Sequence, residues 1–280
     1  MKLLTPENPE ILSAVVMKNG EIIAETEQTD KLYPQYSIMK SLVALVIGRL
    51  CAEGQLTLQT TVGEVLHTGN AEISGISLNA LLSMTSGIKQ KLLFADRNSC
   101  PDYLEACCAA SMESPEKRKR LRFRYNNACA YLAGRMAETQ GGTSLETQIV
   151  DTIFKPLGIT DYELEYDPQG HVFGASGLKL RTEDLARIGH GMMTGKICSA
   201  SWRRTCTSPK FFDASKICYG YFFWVLPGIR LKGFYMKGKW GQRCFVLPDY
   251  QAVIAVNSNM QGEDTIDSYV SRQLLPVLSE

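Results

Sequence analysis

Between residues 37 and 53 the chain is apolar at almost every position. Ile38, Leu42, Leu45 and Val46 recur at helical spacing, and Val43, Ile47 and Leu50 widen that stripe around most of the circumference. This pattern predicts a helix buried on nearly all sides, with Gly54 as its stop. Upstream, apolar runs at 14–17 and 21–25 flank Lys18-Asn19-Gly20. They predict a β-hairpin, because both Asn and Gly tolerate the positive φ that a tight hairpin turn demands.

Helical patterns dominate the middle of the chain: 77–83, 126–139 closed by Gly141-Gly142, 145–154 stopping before Pro156, and 182–193. The tail then changes period. Residues 219–226, 231–236, 243–247 and 252–257 predict strands separated by Pro-Gly, Gly-rich and Pro-Asp turns, and a helix over about 265–278 closes the chain. Strands at both ends with helices between them predict an α+β fold. Its antiparallel sheet is formed from both chain ends, flanked by the terminal helices, with a helical sub-domain inserted. The expected organisation is one domain over 1–280, with an α/β part from 1–60 plus 170–280 and a mainly helical part from 61–169. A catalytic cleft is expected at their junction.

Composition narrows the function without specifying it. The 280 residues are 45% hydrophobic and 21% charged, enough to build a substantial core. Thirty basic and 29 acidic residues leave a net charge of +1, which argues against nucleic acid or an anionic membrane surface as partner. The basic run that begins at Glu116-Lys117-Arg118-Lys119-Arg120 is read as a solvated loop. No apolar run approaches the ~20 residues of a membrane span. Leu3-Leu4 gives way at once to Thr5-Pro6-Glu7, unlike a secretory leader, so the expected location is cytoplasmic. Nine cysteines without a C-x-x-C pair fit reduced, buried thiols rather than disulfides or a zinc site.

Three constellations carry candidate chemistry. Ser37-Ile38-Met39-Lys40 has the form S-x-x-K, which places hydroxyl and amine on one helix face. Lys40 is the one charged residue between Lys31 and Arg49, and burial there favours its neutral, basic form. Ser37 at the helix start lies near free N–H groups that stabilise negative charge. Tyr125-Asn126-Asn127 opens a second helix; its phenol can relay protons, and the Asn127 amide can orient a lysine or meet a carbonyl. Gly238-Lys239-Trp240-Gly241-Gln242 lies between two expected strands, where backbone N–H groups can form an oxyanion hole. Taken singly, each has an ordinary structural reading: a helix cap with a snorkelling lysine, a packed tyrosine, a hairpin turn.

The ordered set S-x-x-K, Y-x-N and K-x-G resembles the serine β-lactamase and penicillin-binding-protein superfamily, in its class C-like branch. Three further stretches are similar to that branch: 76–88, Lys155-Pro156-Leu157-Gly158-Ile159, and 175–186. The resemblance spans roughly residues 12–275. It implies that Ser37 is acylated and that Lys40 and Tyr125 share base work. It implies that Asn127 binds a substrate amide or fixes Lys40, and that Ser37 and Gln242 offer oxyanion N–H groups. It implies that Lys239 adds positive charge, with Trp240 and Gly241 in the same segment. No metal or organic cofactor is implied.

Trp240 departs from the Thr or Ser that binds carboxylate in the antibiotic-directed enzymes. The Gly-x-x-Gly-Gln run is similar instead to the esterase and 6-aminohexanoate-oligomer hydrolase branch. The expected function is therefore a serine hydrolase acting through an acyl-enzyme on a small ester or amide, its one expected partner. A β-lactamase or D-alanyl-D-alanine peptidase is the alternative within the superfamily, and a non-catalytic binding protein on the same fold the alternative outside it. A Ser-His-Asp triad would need His67, His171 or His190, and no G-x-S-x-G elbow occurs.

Overall fold

The period-two alternation of the two chain ends builds the centre of the molecule. The computed structural model describes all residues except 119–121, 213–217, 227–230, 262 and 280. Among the described residues the strands are β1 (Lys2–Leu3), β2 (Ile11–Lys18), β3 (Glu21–Glu25), β4 (Tyr33–Pro34), β5 (Lys179–Leu180), β6 (Phe211–Phe212), β7 (Cys218–Tyr219), β8 (Trp224–Val225), β9 (Phe234–Lys237), β10 (Arg243–Leu247) and β11 (Ala252–Ser258). One sheet runs β1-β3-β2-β11-β10-β9-β8-β7-β6, antiparallel except where β1 lies parallel to β3. β4 and β5 form a separate antiparallel pair.

The expected hairpin joins β2 to β3, with Asn19 at φ 53° and Gly20 at φ 85°. The chain ends meet where β2 pairs with β11, Ser13 facing Asn257. Alternate side chains then serve two cores. Val15, Met17, Cys244, Val246, Val253 and Ala255 pack toward the central helices. Ala14, Val16, Phe245, Leu247, Ile254 and Val256 pack against the C-terminal segment through Ile266, Tyr269 and Leu274.

The apolar run forms a 3-10 turn, Tyr36–Ile38, followed by the α-helix Met39–Ala52. Leu42, Leu45, Val46 and Leu50 are wholly buried, each contributing about 1.5–3 kcal/mol of hydrophobic stabilisation. That anchoring fixes the turn just ahead of it. The Y-x-N segment caps the helix Asn127–Gly141, where the Asn126 side chain accepts from the Ala128 N–H.

Several elements differ from the pattern-based expectation. The strand expected over 219–226 is two short strands, β7 and β8. Phe222 adopts φ 59°, and the Gly220 N–H donates to the Phe223 carbonyl at 2.9 Å, closing a turn that apolar alternation does not reveal. The Pro227-Gly228 turn lies outside the described residues. The helix expected to stop before Pro156 continues past it. A widened π-type turn over Val150–Phe154 follows Leu145–Ile149, and Pro156 sits in the short segment Lys155–Leu157 that continues from it. The closing helix divides into Glu263–Tyr269, a π-type turn and a 3-10 turn. A helix at Ala200–Thr207 was not legible from its pattern. Glu116, Lys117 and Arg118 fall in the short helix Pro115–Arg118, while Lys119 and Arg120 lie outside the described residues. All nine cysteines are free thiols. No helix among the described residues is long and apolar enough to cross a membrane.

Candidate active site

Ser37 is held by backbone geometry before any side chain acts on it. Tyr36 adopts the left-handed conformation, φ 48°, uncommon for a residue with a side chain. The neighbouring Gln35 is fully buried and keeps that turn in place. Its N–H donates to the Leu178 carbonyl at 2.7 Å. Its Nε2 donates to the Tyr33 carbonyl and to Asn257 Oδ1, both at 2.9 Å. Asn257 Nδ2 donates to Thr182 Oγ1 at 2.9 Å, and Thr182 Oγ1 donates to Ser13 Oγ at 2.7 Å. A buried polar relay thus ties the serine turn to β11 and β2. The hydrogen bonds among Gln35, Asn257, Thr182 and Ser13 were not legible in the sequence, because the partners are distant along the chain.

One helical turn on, Lys40 is 1% exposed. Its Nζ lies 2.9 Å from Ser37 Oγ, 2.8 Å from Asn127 Oδ1 and 2.6 Å from the Ala175 carbonyl oxygen. The orientation of the Asn127 amide is set independently, since its Nδ2 donates to the Leu93 carbonyl at 2.7 Å. Lys40 therefore faces two atoms that only accept. Burial lowers its pKa to about 7, partly opposed by the nearby Cys129 thiol. A neutral amine in this setting donates its two N–H bonds to Asn127 and Ala175, which turns the lone pair toward the Ser37 hydroxyl.

Tyr125 completes the cluster. Lys40 Nζ lies 5.0 Å from the centre of its ring. Burial raises the phenol to about 12, and a hydrogen bond with Ser37 works in the lowering direction. Tyr125 is therefore a neutral phenol at pH 7. Cys129, in the first turn of the helix that follows Tyr125, is buried with its Sγ 3.3 Å from Ser86 Oγ. None of His67, His171 or His190 hydrogen-bonds to Ser37 among the described residues. His171 pairs instead with Glu138 at 2.8 Å, and His190 packs against Gly20.

The third segment meets the serine turn through Gly238. A Cβ built there would collide with the Gln35 carbonyl, so only glycine allows β9 to approach this closely. Lys239–Gly241 forms a 3-10 turn between β9 and β10, with Trp240 at φ 63°. Lys239 is exposed, and its Nζ lies over the Trp240 ring, 4.2 Å from the centre. Gly241 is buried against Ser258.

Gln242 is placed otherwise than its expected oxyanion role requires. Its N–H faces the Lys239 carbonyl at 3.5 Å. Its buried side chain is pinned to Ser258, donating to the carbonyl at 2.6 Å and accepting from the N–H at 3.0 Å. The fully buried Arg243 donates to the Gly238 carbonyl at 3.3 Å and the Gln242 carbonyl at 3.0 Å. The C=O and N–H of a trans peptide point opposite ways, so the Lys239 N–H is directed away from Arg243.

Comparison with known proteins places this architecture. The Beta-lactamase family matches over residues 11–277. A provisionally assigned 6-aminohexanoate-dimer hydrolase from Bacillus anthracis superposes with a TM-score of 0.83 at 17% identity, covering 96% of this chain and 79% of that one. The octameric penicillin-binding protein homologue from Pyrococcus abyssi superposes with a TM-score of 0.73 at 19% identity, covering 94% and 73%. Penicillin-binding protein 4 of Amycolatopsis lactamdurans is 28% identical over 156 residues, which span 53% of this chain and 39% of that protein. The match thus extends over about two fifths of that relative's length. The chain belongs to the beta-lactamase family, and its fold is that of the penicillin-binding-protein and β-lactamase serine hydrolases.

Proposed function

We propose that this protein is a serine hydrolase that cleaves small esters or amides through an acyl-enzyme on Ser37. The observation that carries the reading is the Lys40 amine, 2.9 Å from Ser37 Oγ with acceptors at its other two contacts. A buried lysine that needed only neutralisation would face a carboxylate. This one faces a hydroxyl and two neutral oxygens, which suits a general base.

In the first step Ser37 Oγ attacks the substrate carbonyl carbon while its proton passes to Lys40. The N–H of Ser37, in the first turn of its 3-10 helix without an intrahelical acceptor, and the N–H of Lys239 receive the oxyanion. Collapse of the tetrahedral intermediate needs a proton at the leaving atom. Lys40 is enclosed and cannot deliver it there. Tyr125 is half-exposed and neutral, and it donates that proton. The adjacent Lys40 ammonium stabilises the phenolate until the proton passes back. Water then attacks the ester, with the same groups restoring Ser37.

The substrate class follows from what the cleft lacks. Trp240 offers an apolar face and one N–H in place of a hydroxyl, and Lys237, ahead of Gly238, offers none either. This supports simple esters and amides over β-lactams and D-alanyl-D-alanine peptides. A fluorophosphonate probe followed by intact-mass measurement tests the reading. One adduct located on Ser37, and lost in Ser37→Ala, is expected. A folded protein with no adduct, and no turnover across esters, amides and β-lactams, would favour a binding protein on this fold.

A further inference from the structure

The aromatic side chains beside Tyr125 exceed what the chemistry above requires. Trp224 lies nearly parallel to Tyr125, with ring centres 6.4 Å apart at 26°, and nearly parallel to Tyr235, at 6.2 Å and 24°. All three pack against the core, Tyr235 on the buried Phe245 at 5.1 Å, yet each stays half-buried and keeps part of its ring at the surface. Tyr219, fully packed behind, meets Trp224 edge-on at 5.0 Å and fixes its orientation. Lys237 Nζ lies over the same indole, 4.8 Å from its centre.

Strand pairing shows where this wall stands. Among the described residues, the Leu226 N–H donates to the Gly233 carbonyl at 3.0 Å, and β8 pairs with β9 at Val225–Phe234 and then at Trp224–Tyr235. The ladder stops there, while β9 continues through Met236 and Lys237 to Gly238 at the serine turn. Trp224 therefore marks the end of the paired edge, next to the stretch of β9 that leads to Ser37. Tyr125 connects the wall to the chemistry, since it hydrogen-bonds with Ser37 and hands the leaving atom its proton. A ring stacked parallel to Tyr125 thus flanks the leaving group rather than the acyl group.

We infer that Trp224, with Tyr125 and Tyr235, forms a leaving-group subsite for a flat aromatic ring, which makes arylmethyl and aryl esters or amides the substrate class of this site. The inference rests on the reading of Ser37 as nucleophile and Tyr125 as proton donor. A planar ring gains from stacking on such a surface what a puckered ring of the same size does not.

Benzyl acetate and cyclohexylmethyl acetate test this. They share one acyl group and release primary alcohols of similar basicity, so kcat/KM isolates recognition in the acylation step. Each rate is divided by that of hydroxide-catalysed hydrolysis of the same ester. The corrected preference for benzyl is expected to be about threefold to tenfold. It should collapse toward one in Trp224→Leu and largely survive in Trp224→Phe, with circular dichroism confirming that both variants fold. No preference in the natural protein, or the same preference in Trp224→Leu, overturns the subsite while leaving Ser37 chemistry standing. Failure to turn over either ester, together with no fluorophosphonate adduct on Ser37, overturns the nucleophile reading and the subsite with it.

Discussion

Lys40 Nζ and Ser37 Oγ lie 2.9 Å apart, and among the described residues no carboxylate hydrogen-bonds to the amine. The neutral form is the one that acts as base. Below its pKa of about 7 the amine is protonated and the base is lost; above it the base is fully present. The pH profile of kcat/KM should therefore rise through about pH 7 and fall about tenfold per unit on the acid side. A profile flat between roughly pH 5 and 9 would remove Lys40 from this role.

Asn127→Asp should move that limb. A carboxylate within hydrogen-bond reach of Lys40 favours the ammonium and raises its pKa by about 1–3 units. The limb should then shift to higher pH, and activity at pH 7 should fall by roughly tenfold or more. An unshifted limb with reduced kcat would mean that Asn127 acts on the substrate instead.

Gly238→Ala introduces a methyl group against the Gln35 carbonyl, a main-chain atom that cannot swing aside. Overpacking of this kind costs about 1–3 kcal/mol. Denaturant unfolding should show that loss, and kcat should fall further than stability explains, because β9 is pushed from the serine turn. Unchanged kcat would show that the turn after β9 contributes no oxyanion donor.

Substrate ranking follows from Trp240. With no hydroxyl to meet the carboxylate of a β-lactam, nitrocefin should be processed at least roughly tenfold less well than 4-nitrophenyl acetate, compared by kcat/KM. The reverse order would return the protein to the antibiotic-directed enzymes.

Much of the site was legible because its parts are local. The three-residue spacing of Ser37 and Lys40 is a property of one helical turn, and Tyr125 and Asn127 announce themselves at a helix start. The Ala175 carbonyl was not legible as a partner of Lys40, because a main-chain oxygen carries no residue type. The proposed second oxyanion donor, Lys239 in place of the expected Gln242, was hidden for the same reason: peptide orientation depends on Arg243, whose guanidinium reaches back across the turn. The sheet was legible in its central strands, where burial on two faces enforces alternation. Its edge was not, since β7 and β8 are defined by the left-handed backbone at Phe222.

The relay from Gln35 through Asn257 and Thr182 to Ser13 has a consequence for biosynthesis. Ser37 and Lys40 leave the ribosome early, while β11 follows more than two hundred residues later. Until that strand docks on β2, the turn bearing the serine lacks the Asn257 contact that ties Gln35 to the sheet. On the proposed chemistry, the pair reaches its working geometry with the closing of the sheet rather than with the synthesis of its own residues.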